Sequence, residues 1–130
     1  MKIYDTTFLI DLQRDFVNGT KGPATRFLES HPDEDCAISV ISEVEFLEGY
    51  EQYREGLDFL APFQKRDVTR PIALIASRIR RRLRRQGSMI GDFDILIAST
   101  ALDAESELVT ANTEHFARIS DLKLVNYRKL

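Results

Sequence analysis

Residues 36–47 read CAISVISEVEFL. The first six, 36–41, are apolar at every position except Ser39. A short run of this kind, without polar alternation, is the pattern of a strand covered on both faces. From residue 42 the pattern changes. The stretch SEVEFLEGYEQYREGLDFLAPF (42–63) spaces its apolar residues as a helix does, with a break expected at Gly49. A two-faced strand running straight into a helix is a βα unit, and such units build parallel sheets.

The rest of the chain follows the same alternation. Residues 2–5 read as a short strand. TTFLIDLQRDF follows as a helix, with Phe8, Leu9, Leu12 and Phe16 at helical spacing. NGTKGP (18–23) is a loop, and ATRFLESH is a second helix that stops near Pro32. RDVTRP (66–71) holds a brief extended piece. Residues 72–86 form a helix with the stripe Ile72, Ile75, Ala76, Ile79 and Leu83, ended by Gly87. GDFDILIASTALDAESE (91–107) is a strongly apolar helix with Asp92 placed to cap it. LVTAN (108–112) and LKLVNY (122–127) are strands, with TEHFARIS as a short helix between them. The expectation is one α/β domain over residues 1–130, with a mainly parallel sheet.

Bulk properties narrow the classes further. The chain has 130 residues, 43% hydrophobic and 30% charged, which suits one ordinary globular domain. Its single cysteine, Cys36, excludes an intrachain disulfide and suggests a reduced, cytoplasmic setting. Cys36 opens an apolar run and reads as a small core residue. Asp5 and Asp11 interrupt the opening residues, so no signal peptide is expected. No stretch reaches the roughly 18 apolar residues of a membrane span. The net charge of −3 does not by itself advertise nucleic-acid binding, but half of the 18 Lys and Arg residues lie between residues 65 and 85.

Several acids share a place in this pattern. Asp5 ends the first strand, Glu43 and Glu45 follow the second, Asp92 and Asp94 open the 91–107 helix, and Asn112 and Glu114 follow the 108–112 strand. In a parallel α/β sheet these positions lie at the carboxyl ends of the strands, where ligands bind. Clustered carboxylates resist joint ionisation, and a hard cation relieves them. Oxygen donors without Cys or His point to Mg²⁺ or Mn²⁺ rather than zinc. Each acid also has a plainer role open to it. Ser42 and Glu45 match a capping box, Asp92 and Asp94 suit a helix N-terminus, and Asn112 or Thr113 can cap the helix that follows. Asp5 is the hardest to explain as a cap, because Thr6 and Thr7 stand ready for that task.

Four blocks in order resemble the PIN-domain family: YDTTFLIDL, ISVISEVEFLEGY, GDFDILIASTAL and LVTANTEHFARI. The stretch LRRQGSMIGDFDILIASTAL resembles the VapC toxins of type II toxin–antitoxin systems. The resemblance implies a three-layer α/β/α sandwich, Mg²⁺- or Mn²⁺-dependent endoribonuclease activity and inhibition by a small cognate antitoxin. It implies Asp5 and Asp94 as chief metal ligands, with Glu45 completing the catalytic site and Glu43 outside it. Thr7 would orient a ligand or phosphate, and Thr110 would support the ligands from behind. The fourth block departs from the acidic pattern: Asn112 stands where some relatives have Asp, with Glu114 two residues on as a substitute. Whether one or two ions bind is left open. Homodimers are common in the family.

SRIRRRLRRQ surrounds an apolar stripe with Arg78, Arg81, Arg82 and Arg85 among its cations. This is either a solvated helix face or a surface that holds RNA phosphates. With no aromatic residue interleaved, it would position a backbone rather than read bases. His31 and His115 read as surface residues, which disfavours a histidine-based ribonuclease. Two alternatives stay within the family: a nuclease processing RNA or DNA without an antitoxin, and a degenerate domain that only binds RNA or protein. A phosphoryl-accepting receiver or phosphatase fits less well. The first strand ends in Asp5-Thr6-Thr7 rather than Asp-x-Asp, and the paired acids and late lysine of a receiver are not evident.

Overall fold

The computed structural model describes residues 1–129. Five strands form one sheet: β1 (Lys2–Tyr4), β2 (Cys36–Ser39), β3 (Gln64–Arg66), β4 (Glu107–Thr110) and β5 (Leu124–Asn126). Their order is β3-β2-β1-β4-β5, and every neighbouring pair is parallel. Ile3 stands opposite Ala37 on one side and Leu108 on the other. Successive side chains of a strand point to opposite faces, so Ile3, Ala37 and Leu108 enter one core and Tyr4, Ile38 and Val109 enter a second.

Helices cover both faces. The first core is closed by α5 (Arg70–Gln86) and α6 (Asp92–Asp103) through Ile79, Leu83, Ile95 and Ile97. The second is closed by α1 (Thr6–Asn18) and α2 (Pro23–Glu29) through Phe8, Leu9 and Phe27. Two further helices, α3 (Val40–Leu47) and α4 (Tyr53–Leu60), send Phe46 and Leu60 into the second core. The short α7 (Thr113–Phe116) follows β4, and a 3-10 turn (Tyr127–Lys129) ends the described chain. This is the expected three-layer α/β/α sandwich. Gly19 and Gly87 end α1 and α5 in the left-handed conformation, at φ 64° and 66°, which costs glycine little.

Several boundaries differ from the expectation. Strand β3, Gln64–Arg66, begins just past the helix expected to end at residue 63 and meets the extended piece expected over 66–71 only at Arg66. It is a polar edge strand, and charged side chains there guard the open edge, so it has no apolar signature. The 42–63 helix is two helices, parted around Gly49. Helix α3 starts at Val40, capped by Ser39, whose hydroxyl accepts from the Ile41 N–H at 3.0 Å. Ser42 is therefore buried inside the helix, and the capping box with Glu45 does not form. Helix α6 is capped by Gly91 rather than Asp92, and ends at Asp103, ahead of Glu105 at φ 52°. Helix α7 stops at Phe116, and the strands β1, β2, β4 and β5 are each shorter than the sequence suggested.

The turn after β5 is fastened to α1. Buried Tyr127 donates its hydroxyl to Asp11 Oδ2 at 2.5 Å, and Arg128 Nε donates to the same oxygen at 2.8 Å. No helix among the described residues is long and apolar enough to cross a membrane.

The burial pattern sets a contrast that urea unfolding measures. Ile38, fully buried on β2, should cost about 2–5 kcal/mol on replacement by Ala. Phe16, 79% exposed on α1, should cost within about 0.5 kcal/mol. Equal losses at the two positions would contradict this placement of the core.

Candidate active site

Strand β1 sits between β2 and β4, where the sheet's sequence order reverses direction. A crevice opens at such a switch point, beyond the carboxyl ends of the strands. Asp5 lies there, one residue past β1, and Thr110 is the last residue of the neighbouring β4. Helix α6 begins nearby and brings Asp94 in its first turn.

Asp5 is 3% exposed. It caps α1 itself: Oδ1 accepts from the Phe8 N–H at 3.1 Å. The expectation that Thr6 and Thr7 would spare it that role is thus corrected. Oδ1 also accepts from the Thr7 hydroxyl at 2.7 Å, and Oδ2 accepts from the Thr110 hydroxyl. Each threonine oxygen in turn accepts a backbone N–H from the loop after β4. Ala111 donates to Thr7 at 3.1 Å and Asn112 to Thr110 at 2.9 Å. A hydroxyl has one proton to give, so these contacts commit both protons to Asp5. Of the roughly four acceptor positions on a carboxylate, three are used, and the free one is on Oδ2.

The other expected ligands stand at different distances from this centre. Asp94 is half-buried and close enough for its charge to act on Asp5. His115 Nδ1 lies 3.8 Å from Asp94 Oδ2, and the Asn112 amide nitrogen lies 3.1 Å from the same ring nitrogen. Glu45 joins at one remove: its Oε1 accepts from the Thr6 hydroxyl at 2.7 Å, beside Asp5 in the chain. Glu114 is exposed and takes no part in the bonds around Asp5. Asp92 is occupied with Arg80, whose Nε donates to its Oδ1 at 3.0 Å.

The electrostatics follow from burial. Desolvation pushes the Asp5 carboxyl up to about 6, against the pull of its hydrogen bonds, and Asp94 adds repulsion. Desolvation also raises Asp94, opposed by His115. Among the described residues, no three Asp, Glu, His or Cys side chains gather closely enough to ligate one ion directly. The donor set of two carboxylates within reach of each other's charge, one with a free lone pair, fits Mg²⁺ or Mn²⁺ held by one or two carboxylates and its own waters. It does not fit a fully protein-caged ion.

The arginines divide by location. Arg78, Arg81 and Arg85 are exposed along α5, while Arg82 donates to the Ser120 hydroxyl at 2.9 Å. Sequence reasoning missed His115 as a neighbour of the site. Its signal is the three-residue spacing from Asn112, which stacks the two across the first turn of a helix.

A mixed α/β sandwich with an acidic crevice at its switch point is the architecture of a PIN domain. The PIN-domain family model matches residues 2–122, and the chain belongs to that family. It is 34% identical to the ribonuclease VapC19 of Mycobacterium tuberculosis over 126 residues, covering 95% of this chain and 98% of that one. It is 33% identical to the ribonuclease VapC1 of Methanocaldococcus jannaschii over 96 residues, covering 72% and 71%. The VapBC2 complex of Rickettsia felis bound to a promoter DNA fragment matches in structure with a TM-score of 0.81 and 26% identity. That match covers 96% of this chain and 97% of its counterpart.

Without a cation, Asp5 makes the fold sensitive to pH. A carboxyl raised in the folded state binds its proton more tightly there than in the unfolded chain. Its contribution is therefore intact below pH 4 and lost as pH rises through 6, by about 3 kcal/mol in all. In EDTA, Asp5→Asn should gain on the parent protein in urea unfolding between pH 4.5 and 7. A gap that narrows over this range would contradict the buried carboxylate.

Proposed function

We propose that this chain is a Mg²⁺- or Mn²⁺-dependent endoribonuclease and the toxin of a toxin–antitoxin pair. One observation carries the reading. Asp5 is a buried carboxylate whose partners are hydroxyl and amide donors, with no cation beside it among the described residues, at the sheet's switch point and within reach of the Asp94 charge. Such an arrangement is costly for a scaffold and useful to a metal-dependent hydrolase. The names of the curated relatives, ribonucleases VapC, point the same way.

Asp5 and Asp94 would hold the ion, with Glu45 reaching it through water. When bound, the ion supplies an activated water and stabilises charge developing on the phosphate. The chain's own residues set the stage for this. Thr7, Thr110 and the Phe8 N–H lock the plane of Asp5 and leave one acceptor position on Oδ2 unused. The Thr6 hydroxyl steadies Glu45. Asn112 adds an amide at its corner of the site rather than a fourth charge.

The antitoxin reading is supported by a cavity of about 540 Å³ bounded by α1 and α2. Leu12, Phe16, Leu28, Phe59 and Phe63 line it, and Phe16 and Val17 are 79% and 67% exposed. An apolar segment of a small partner would cover these side chains. The solved VapBC complexes of Rickettsia felis and Haemophilus influenzae match this chain over 96% and 97% of its length.

A mixed RNA pool incubated with Mg²⁺, Mn²⁺ or EDTA tests the activity. Cleavage is expected with either ion, and neither in EDTA nor with Asp5→Asn or Asp94→Asn. Thr110→Val, which removes the hydroxyl that donates to Asp5 and accepts from the Asn112 N–H, should lower the rate about 10- to 100-fold. Cleavage that persists in EDTA would end the metal mechanism. A folded parent protein that cuts no RNA and gains no thermal stability from either ion would end the catalytic reading.

A further inference from the structure

Phe93 lies between Asp92 and Asp94 in the first turn of α6, yet 45% of its surface is exposed. The large apolar residues deeper in the same helix, Ile95 and Ile97, are each 1% exposed. Exposing an aromatic ring forgoes the stabilisation that burial would bring. Two cations are tied to residues that flank it in the chain. Arg80 reaches over from α5 to Asp92, and Arg118 Nη1 donates to the carbonyl of Met89 at 3.0 Å, just before α6. Each guanidinium has five N–H donors, so one bond to the protein fixes its position and leaves most donors for a phosphate. Met89 is itself 38% exposed.

Aromatic faces set among fixed arginines are how proteins hold single-stranded nucleic acid: bases stack on the rings, and phosphates meet the cations. Asp94 is the next residue of α6, its Cα about 3.8 Å away, with its side chain turned about 100° around the helix axis from the ring. We infer that Phe93 is a stacking platform for a nucleobase of single-stranded RNA beside the cleaved phosphodiester, with Arg80 and Arg118 holding the flanking phosphates. The inference rests on the nuclease reading of this site and extends it to how substrate is held. The sequence offered no aromatic within the arginine-rich helix. The fold supplies one from the neighbouring helix instead.

The test compares binding of a fluorescein-labelled uridine hexanucleotide with that of its abasic counterpart, which keeps the phosphates and lacks the bases. Anisotropy would be read in EDTA for the parent protein, Phe93→Ala and Phe93→Trp. The expected result is a loss of roughly tenfold in affinity for the uridine RNA with Phe93→Ala. Phe93→Trp should retain that affinity, and no variant should differ on abasic RNA. Because the ring is exposed, all three proteins should unfold at the same urea concentration. Equal losses on both RNAs, or no loss on either, would overturn the inference. So would failure of the parent to bind either RNA, or a Phe93→Ala variant that changes only its oligomeric state or antitoxin binding. The binding result stands apart from cleavage. A parent protein that binds through its bases but cuts nothing would remove the nuclease reading and leave the platform.

Discussion

Asp5 and its two threonines hold this structure together at its most contested point. Parallel strands bring β1 and β4 side by side, but backbone pairing ends where the crevice begins. Beyond that point, hydroxyls from α1 and β4 converge on one carboxylate, and each also takes a backbone N–H from the loop after β4. The arrangement gives every polar group in it a partner but leaves one acceptor position on Oδ2 and the charge itself unmatched. That imbalance is electrostatic, and packing cannot relieve it. The surrounding protein must be stable enough to tolerate that buried charge.

That stability comes from the two cores. The sheet has no polar face. Ile3, Ala37 and Leu108 meet α5 and α6, while Tyr4, Ile38 and Val109 meet α1 and α2. On the second side the packing is aromatic: Tyr4, Phe8 and Phe27 lie ring against ring, and Phe8 meets Tyr127 edge-on at 4.9 Å between centroids. Since Phe8 also gives its N–H to Asp5, the packing that positions the ring positions the carboxylate. Core and site are two ends of the same turn of helix.

The sequence made the repeating order of strand and helix legible because buried parallel strands and amphipathic helices leave periodic traces. It also placed Asp5, Asp94, Thr7 and Thr110 at strand and helix ends that the fold brings together. What it could not convey were features without a period. The edge strand at Gln64–Arg66 has no apolar alternation because one side has no neighbour. Ser39 rather than Ser42 caps α3, a choice settled by how the strand enters the helix. Glu45 looked equally suited to a cap and a ligand; the Ser39 cap removes the first role, and its carboxylate instead accepts from Thr6. His115 pairs with Asn112 at a spacing the sequence shows, but its approach to Asp94 is tertiary geometry that spacing along the chain does not encode.

The bond between Thr110 and Asp5 spans 105 positions of sequence. Loops of that length close slowly, because distant segments must find one another before any contact rewards them. On the ribosome, where residues appear at about 5–20 per second, β1 and its aspartate emerge many seconds before β4. Until then the aspartate has neither the strand beside it nor the hydroxyl behind it. The order of synthesis therefore withholds the bond between Asp5 and Thr110 until about five-sixths of the chain exists.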